Sequence, residues 1–103
     1  MKKANVFVNG VLAGEIQETE RGKKYSFVYL AEYEGPSVSL EMPTTQLIYE
    51  YDRFPPFFEG LLPEGMMLEG LLRYTKIDRN DLLSQLIAVG GDLVGNVTVE
   101  APK

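Results

Sequence analysis

Val6-Phe7-Val8-Asn9-Gly10-Val11-Leu12-Ala13-Gly14-Glu15-Ile16 decides the fold class of this chain. Apolar runs flank Asn9-Gly10, a pair suited to the positive-φ positions of a two-residue type I′ turn, so the stretch reads as a β-hairpin. Downstream, Glu20-Arg21-Gly22-Lys23 is the next turn. Tyr25, Phe27 and Tyr29 then alternate with Ser26, Val28 and Leu30, the period of a third strand. Gly35-Pro36 interrupts the chain, and Ser37 to Met42 alternates again, which predicts a strand with Val38, Leu40 and Met42 facing inward. Pro43 stops it, and Gln46 to Tyr51 forms either a further strand or an irregular segment. Upstream, the apolar run Val6-Phe7-Val8 is too short for the core of a signal peptide.

The period changes in the second half. Pro55-Pro56 pre-sets φ for a helix start, and Phe57, Phe58, Leu61 and Leu62 recur at helical spacing. Pro63 and Gly65 break that helix. Met67, Leu68, Leu71, Leu72 and Tyr74 mark a second. Asp78 is the expected cap of a third, with Asp81 at its third position, and this helix buries Leu82, Leu83, Leu86 and Ile87. Gly90-Gly91 ends it. Leu93 to Val99 reads as a closing strand, with Val94 set apart from the Val97/Val99 alternation by Gly95-Asn96. Strands first, helices second and a returning strand predict an α+β fold: a mostly antiparallel sheet of about five strands packed with about three helices. Residues 1–103 read as one complete small domain.

Composition narrows the chemistry. The chain is 45% hydrophobic and 24% charged, an ordinary globular balance that supports one modest core. It has neither Cys nor His, which removes disulfides, thiolate chemistry and the usual nucleophile–base pairs. Only carboxylates remain as strong metal ligands, so no zinc site and no cofactor is expected. The net charge of −5 repels phosphate backbones and argues against direct nucleic-acid binding. No stretch approaches the length of a membrane span, and a Cys-free chain without a signal segment is expected to be cytoplasmic.

Local motifs have plain structural explanations. Gly90-Gly91-Asp92-Leu93-Val94-Gly95 is glycine-rich, but it follows a helix instead of preceding one, so it caps a helix and turns the chain. Glu59, Glu64 and Glu69 are near in sequence, yet Pro63 separates the first two and solvated helix charges account for them. Asp78, Asn80 and Asp81 lack the glycine and the final bidentate Glu of a calcium loop. Ser37, Ser39 and Ser84 have no His to activate them. The unusual stretch is Arg53 to Leu68, with three Phe, three Pro, three Leu and two Met in sixteen residues. Adjacent helical residues point about 100° apart, so Phe57/Phe58 and Met66/Met67 cannot all share one core face. Some apolar surface is therefore expected to remain exposed, and such a patch marks a partner site.

At this stretch a family resemblance enters. Phe57-Phe58-Glu59-Gly60-Leu61-Leu62-Pro63-Glu64-Gly65 resembles the FFENLLPEG signature of the N-terminal subdomain of HipA-type serine/threonine kinases, the toxins of bacterial toxin–antitoxin modules. Leu82 to Gly95 is similar to the helix and GGDxxGA turn that closes the same subdomain, with Asn96 in place of the usual Ala. The family's ATP loop and catalytic and metal-binding aspartates lie beyond this subdomain, so the resemblance implies a protein that is not an enzyme by itself. A separate copy of the subdomain resembles the HipS-type antitoxins of three-gene HipBST modules. That resemblance implies a partner, a HipT-like kinase, in a complex that also contains a HipB-like DNA-binding protein. The expected partner-binding residues are Phe54, Phe58, Glu64, Gly65 and Met66, with Met66 projecting into the kinase cleft and the two phenylalanines anchoring the surface around it. The alternative is a non-inhibitory structural subunit, or a detached N-terminal fragment of a HipA-type kinase.

Overall fold

A computed structural model describes residues 2–93 and 95–102. In chain order the elements are β1 (Lys2–Val8), β2 (Val11–Glu20), β3 (Lys24–Tyr29), β4 (Ile48–Tyr51), α1 (Pro56–Glu59), α2 (Gly65–Thr75), α3 (Leu82–Val89) and β5 (Val97–Glu100). The strands form one sheet in the order β4-β3-β2-β1-β5, and every neighbouring pair is antiparallel. The α+β expectation holds, with five strands and three helices among the described residues.

The β1–β2 hairpin turns where Asn9-Gly10 requires it. Both residues have positive φ, 52° and 80°, which is the type I′ signature. A bulge follows between Val6 and Phe7. Alternation then puts Ala4, Val6 and Val8 of β1, Ile16 of β2, Tyr25, Phe27 and Tyr29 of β3, and Val97 and Val99 of β5 into the core. Phe54, Phe58, Leu83 and Leu86 pack onto them from the helical half, joined by Val38 and Met42. Each such side chain, fully buried, contributes roughly 1.5–3 kcal/mol. The rings meet in favourable edge geometry, with Phe27 and Tyr29 centred 4.8 Å apart at 87° and Tyr25 and Phe54 at 5.2 Å and 88°.

Four expectations are corrected. Residues 37–42 form turns instead of a strand; the Met42 N–H bonds back to the Ser39 carbonyl at 3.1 Å. Val38 and Met42 are buried, but Leu40 between them is 100% exposed. The cause is the Tyr29 hydroxyl, which accepts the Val38 N–H at 2.8 Å and donates to the Met42 carbonyl. One side chain thus satisfies backbone groups that a strand would give to a neighbour, and the loop between them bows outward.

The cap of α3 is Asp81, not Asp78. The Asp81 carboxylate accepts the Ser84 N–H at 3.2 Å, while Asp78 holds a turn just before it by accepting the Asn80 N–H at 2.7 Å. Two consecutive Asx motifs were available, and the later one is in phase with the apolar face of the helix. The first helix is also shorter than its spacing suggests: α1 is a single turn, Pro56–Glu59, and Gly60 ends it before Leu61 and Leu62. The closing strand is confined to Val97–Glu100, and the expectation for Val94 lies outside the described residues.

Candidate partner-binding surface

The α1–α2 connection is built by Pro63, Glu64 and Gly65. Gly65 opens α2 with φ at +58°, a left-handed conformation that favours glycine. Glu64 precedes it in extended conformation, and its carbonyl accepts the first helical bond, from the Leu68 N–H at 3.4 Å. Met66 and Met67 are 91% and 76% exposed, and Tyr74, two turns further on, is 91% exposed. No residue of α2 is fully buried. Its inner side is the half-buried row Leu68, Leu71 and Leu72. A second tether is the fork of Arg79, whose Nη2 donates to both Glu69 oxygens at 2.7 and 2.8 Å. That bond holds the Glu69 carboxyl below the usual carboxylate range and raises the Arg79 guanidinium further.

Of the five residues expected at the partner surface, Glu64, Gly65 and Met66 are exposed on one turn. Phe54 and Phe58 are corrected: at 4% and 0% exposure they are core residues. Phe54 stands edge-on to Tyr25, and Phe58 packs against Phe27 at 5.8 Å and Phe57 at 5.2 Å. The sheet's inner face takes these two rings because β3 supplies aromatic partners at matching positions. They belong to the core and do not line the exposed turn.

The sequence places Tyr74 in a helical stripe, and the structure exposes it. The available signal was spacing: Met66, Gly70 and Tyr74 recur every fourth residue and so lie along one line of the helix.

The other candidates do not assemble into chemistry. Glu59 pairs with Arg53 at 3.6 Å and Glu69 with Arg79, so these carboxylates face separate cations. Among the described residues, no group of three or more His, Cys, Asp or Glu is placed to hold a metal ion. A cleft between Lys2, Glu18, Arg21 and Asp81 is polar, and three of its charges are engaged: Lys2 Nζ meets Asp81 at 2.7 Å, and Glu18 accepts the Gly22 N–H at 3.0 Å. Gly90-Gly91 follows α3, with the Asp92 N–H bonded to the Val89 carbonyl at 2.9 Å, a helix end and turn. Among the described residues, no helix is long and apolar enough to cross a membrane.

A five-stranded antiparallel sheet with its helices entered through the Leu61-Leu62-Pro63-Glu64-Gly65 turn is the architecture of a known domain class. The family described as HipA N-terminal domain matches residues 4–100, and this chain belongs to it. Its fold is similar to a solved structure of the N-terminal domain of HipA toxin, with a TM-score of 0.76 and 27% identity, covering 100% of this chain and 94% of that one. It is also 29% identical over 103 residues to an uncharacterized protein of Haemophilus influenzae (strain Rd), covering 100% of this chain and 95% of that protein.

Proposed function

We propose that this chain is an antitoxin that binds a HipT/HipA-like serine/threonine kinase and inhibits it in trans. The observation that carries this reading is α2, a helix that displays Met66, Met67 and Tyr74 and has no fully buried residue. A family domain whose helix lacks a covering layer has apolar area to bury against the remainder of a kinase lobe. The Haemophilus influenzae relative supports a separate existence for the domain, since this chain's counterpart spans 95% of its length. Inhibition is steric in this proposal: the Glu64–Met66 turn projects at the kinase cleft, and Met66, unbranched and adaptable, enters it. A HipB-like DNA-binding protein completes the complex and carries operator recognition.

The test is co-expression with a HipT/HipA-like kinase from the same genome, read by co-purification and by growth rescue. Stable association with restored growth is the expected result, and Met66→Asp is expected to weaken inhibition. Association without rescue in the wild type would instead establish the second reading, a structural subunit or detached kinase fragment. The likeness to a domain of a HipA toxin favours that reading as the alternative. No association would remove the partner reading.

A further inference from the structure

Gly70 stands in the interior of α2, where glycine is among the poorest helix formers. Two conditions ordinarily require a glycine, and neither applies. Its φ is not positive, and a β-carbon added to it would meet nothing within 4 Å. The free chain therefore has no structural need for glycine here. The gap lies midway between Met66 and Tyr74, both 91% exposed, on one line of the helix. Their side chains form a ridge with a notch at Gly70.

We infer that this notch seats a ridge of a helix from the partner kinase, so that the α2 backbone is approached directly at Gly70 with Met66 and Tyr74 closing on either side. This rests on the kinase-binding reading and adds the docking element to it. A row with fourfold spacing is the surface that packs against another helix, ridge into groove. Charge sets the direction. Glu64 lies at one end of the row and Arg73 and Lys76 at the other, and none of the three is in an ion pair among the described residues. The matching helix carries a cation toward Glu64 and a carboxylate toward Arg73 and Lys76, a polarity that a second copy of α2 meets only in antiparallel alignment.

The test separates docking from folding, because the two effects of one substitution have opposite sign. Gly70→Ala is expected to raise the melting temperature of the free chain by about 4 °C, through helix propensity. The same change is expected to weaken binding to the purified HipT/HipA-like kinase roughly tenfold, and Gly70→Leu roughly a hundredfold, by filling the notch. Unchanged affinity in both variants, with the wild type still binding and inhibiting, would overturn the notch and leave the antitoxin reading intact. A lowered melting temperature for Gly70→Ala would also overturn it, by showing that the free chain needs the glycine. Wild-type self-association in analytical ultracentrifugation, lost in Gly70→Leu while kinase affinity is kept, would assign the notch to a second copy instead. Absence of wild-type binding would overturn this inference together with the reading beneath it.

Discussion

Gly90 lies so close to Val99 that a β-carbon on it would come within 1.9 Å of the Val99 carbonyl oxygen. The Val99 N–H donates to the Gly90 carbonyl at 3.0 Å, so the end of α3 is bonded directly to the edge of the sheet. Its φ of −59° suits any residue, and contact alone demands glycine. Gly90→Ala must push β5 and α3 apart and is expected to cost about 1–3 kcal/mol, more if the backbone cannot yield. Gly91→Ala, with nothing near its β-carbon, should stay within about 0.5 kcal/mol. Urea denaturation of both variants checks this, and equal stabilities would contradict the close approach.

The loop that Tyr29 fastens makes a second prediction. Tyr29→Phe leaves a buried N–H on Val38 and a carbonyl on Met42 without their partner, at a cost of about 1–3 kcal/mol. Met42→Ala should cost about 2–5 kcal/mol, whereas Leu40→Ala should change stability by less than about 0.5 kcal/mol. A strand facing the core with Val38, Leu40 and Met42 would make the two substitutions alike, so the contrast in denaturation midpoints tests the conformation itself.

The same loop shows where sequence reading succeeds and where it stops. Asn9-Gly10 was decisive because only a narrow set of residues accepts positive φ twice in succession, and that constraint is local. The Tyr25/Phe27/Tyr29 alternation was equally legible, since one face of β3 is buried throughout. The alternation over 37–42 was misleading because the competitor is a hydroxyl eight or more positions away, which no local period reveals. Asp78 and Asp81 offered two caps with the same chemistry, and only the phase of Leu83 and Leu86 against the sheet chooses between them. Hydrophobic density in 53–68 correctly implied that some residues stay exposed. Which ones depends on packing: Phe54 and Phe58 meet rings of β3, and the methionines meet none.

Asp81 joins α3 to the first strand, accepting from the Ser84 N–H and hydroxyl and pairing with Lys2 at 2.7 Å. Burial pushes its pKa up, but the bonds from Lys2 and Ser84 outweigh this and hold it below the usual carboxylate range. A carboxyl with a depressed folded pKa contributes stability that is present above its unfolded pKa and lost as pH falls through the folded one. Asp81→Ala should therefore cost about 1 kcal/mol near neutral pH, mostly as a lost helix cap, and lose less than the wild type on acidification below about pH 4. Thermal melts at pH 7 and pH 3 measure both. Lys2→Ala should cost less, because that pair is largely solvated.

At the alkaline end the sign reverses. Burial beside the core, and then the charge and hydrogen bond of Glu18, push the Tyr25 phenol up to about 12, with Asp81 adding to the shift. Tyr29 and Tyr51 are raised as well, chiefly by burial. A phenol whose folded pKa exceeds its unfolded value contributes stability that is complete below about pH 10 and lost as pH rises toward 12. The wild type should accordingly lose stability from pH 9 to pH 11.5, and Tyr25→Phe should lose less over the same interval. Denaturation curves across that range, with ultraviolet detection of phenolate, decide it; parallel curves for the two proteins would show that Tyr25 titrates as it does in the unfolded chain.

Phe58 and Met66 are eight residues apart in the stretch that carries the family signature, yet they have opposite physical roles. Phe58 is fully buried against Phe27 and Phe57, so Phe58→Ala is expected to destabilise the chain by about 3–5 kcal/mol. Met66 is 91% exposed at the start of a helix with no fully buried residue, so Met66→Asp should leave stability within about 0.5 kcal/mol. A carboxylate in the first turn of α2 also complements the helix dipole, which keeps the sign of any change near zero or favourable. If Met66→Asp instead melted several degrees lower, Met66 would be part of the core in solution. Any loss of inhibition by that variant would then reflect unfolding. With stability unchanged, loss of inhibition can be assigned to the surface itself, and the buried phenylalanines serve as the control for what unfolding does to the same assay.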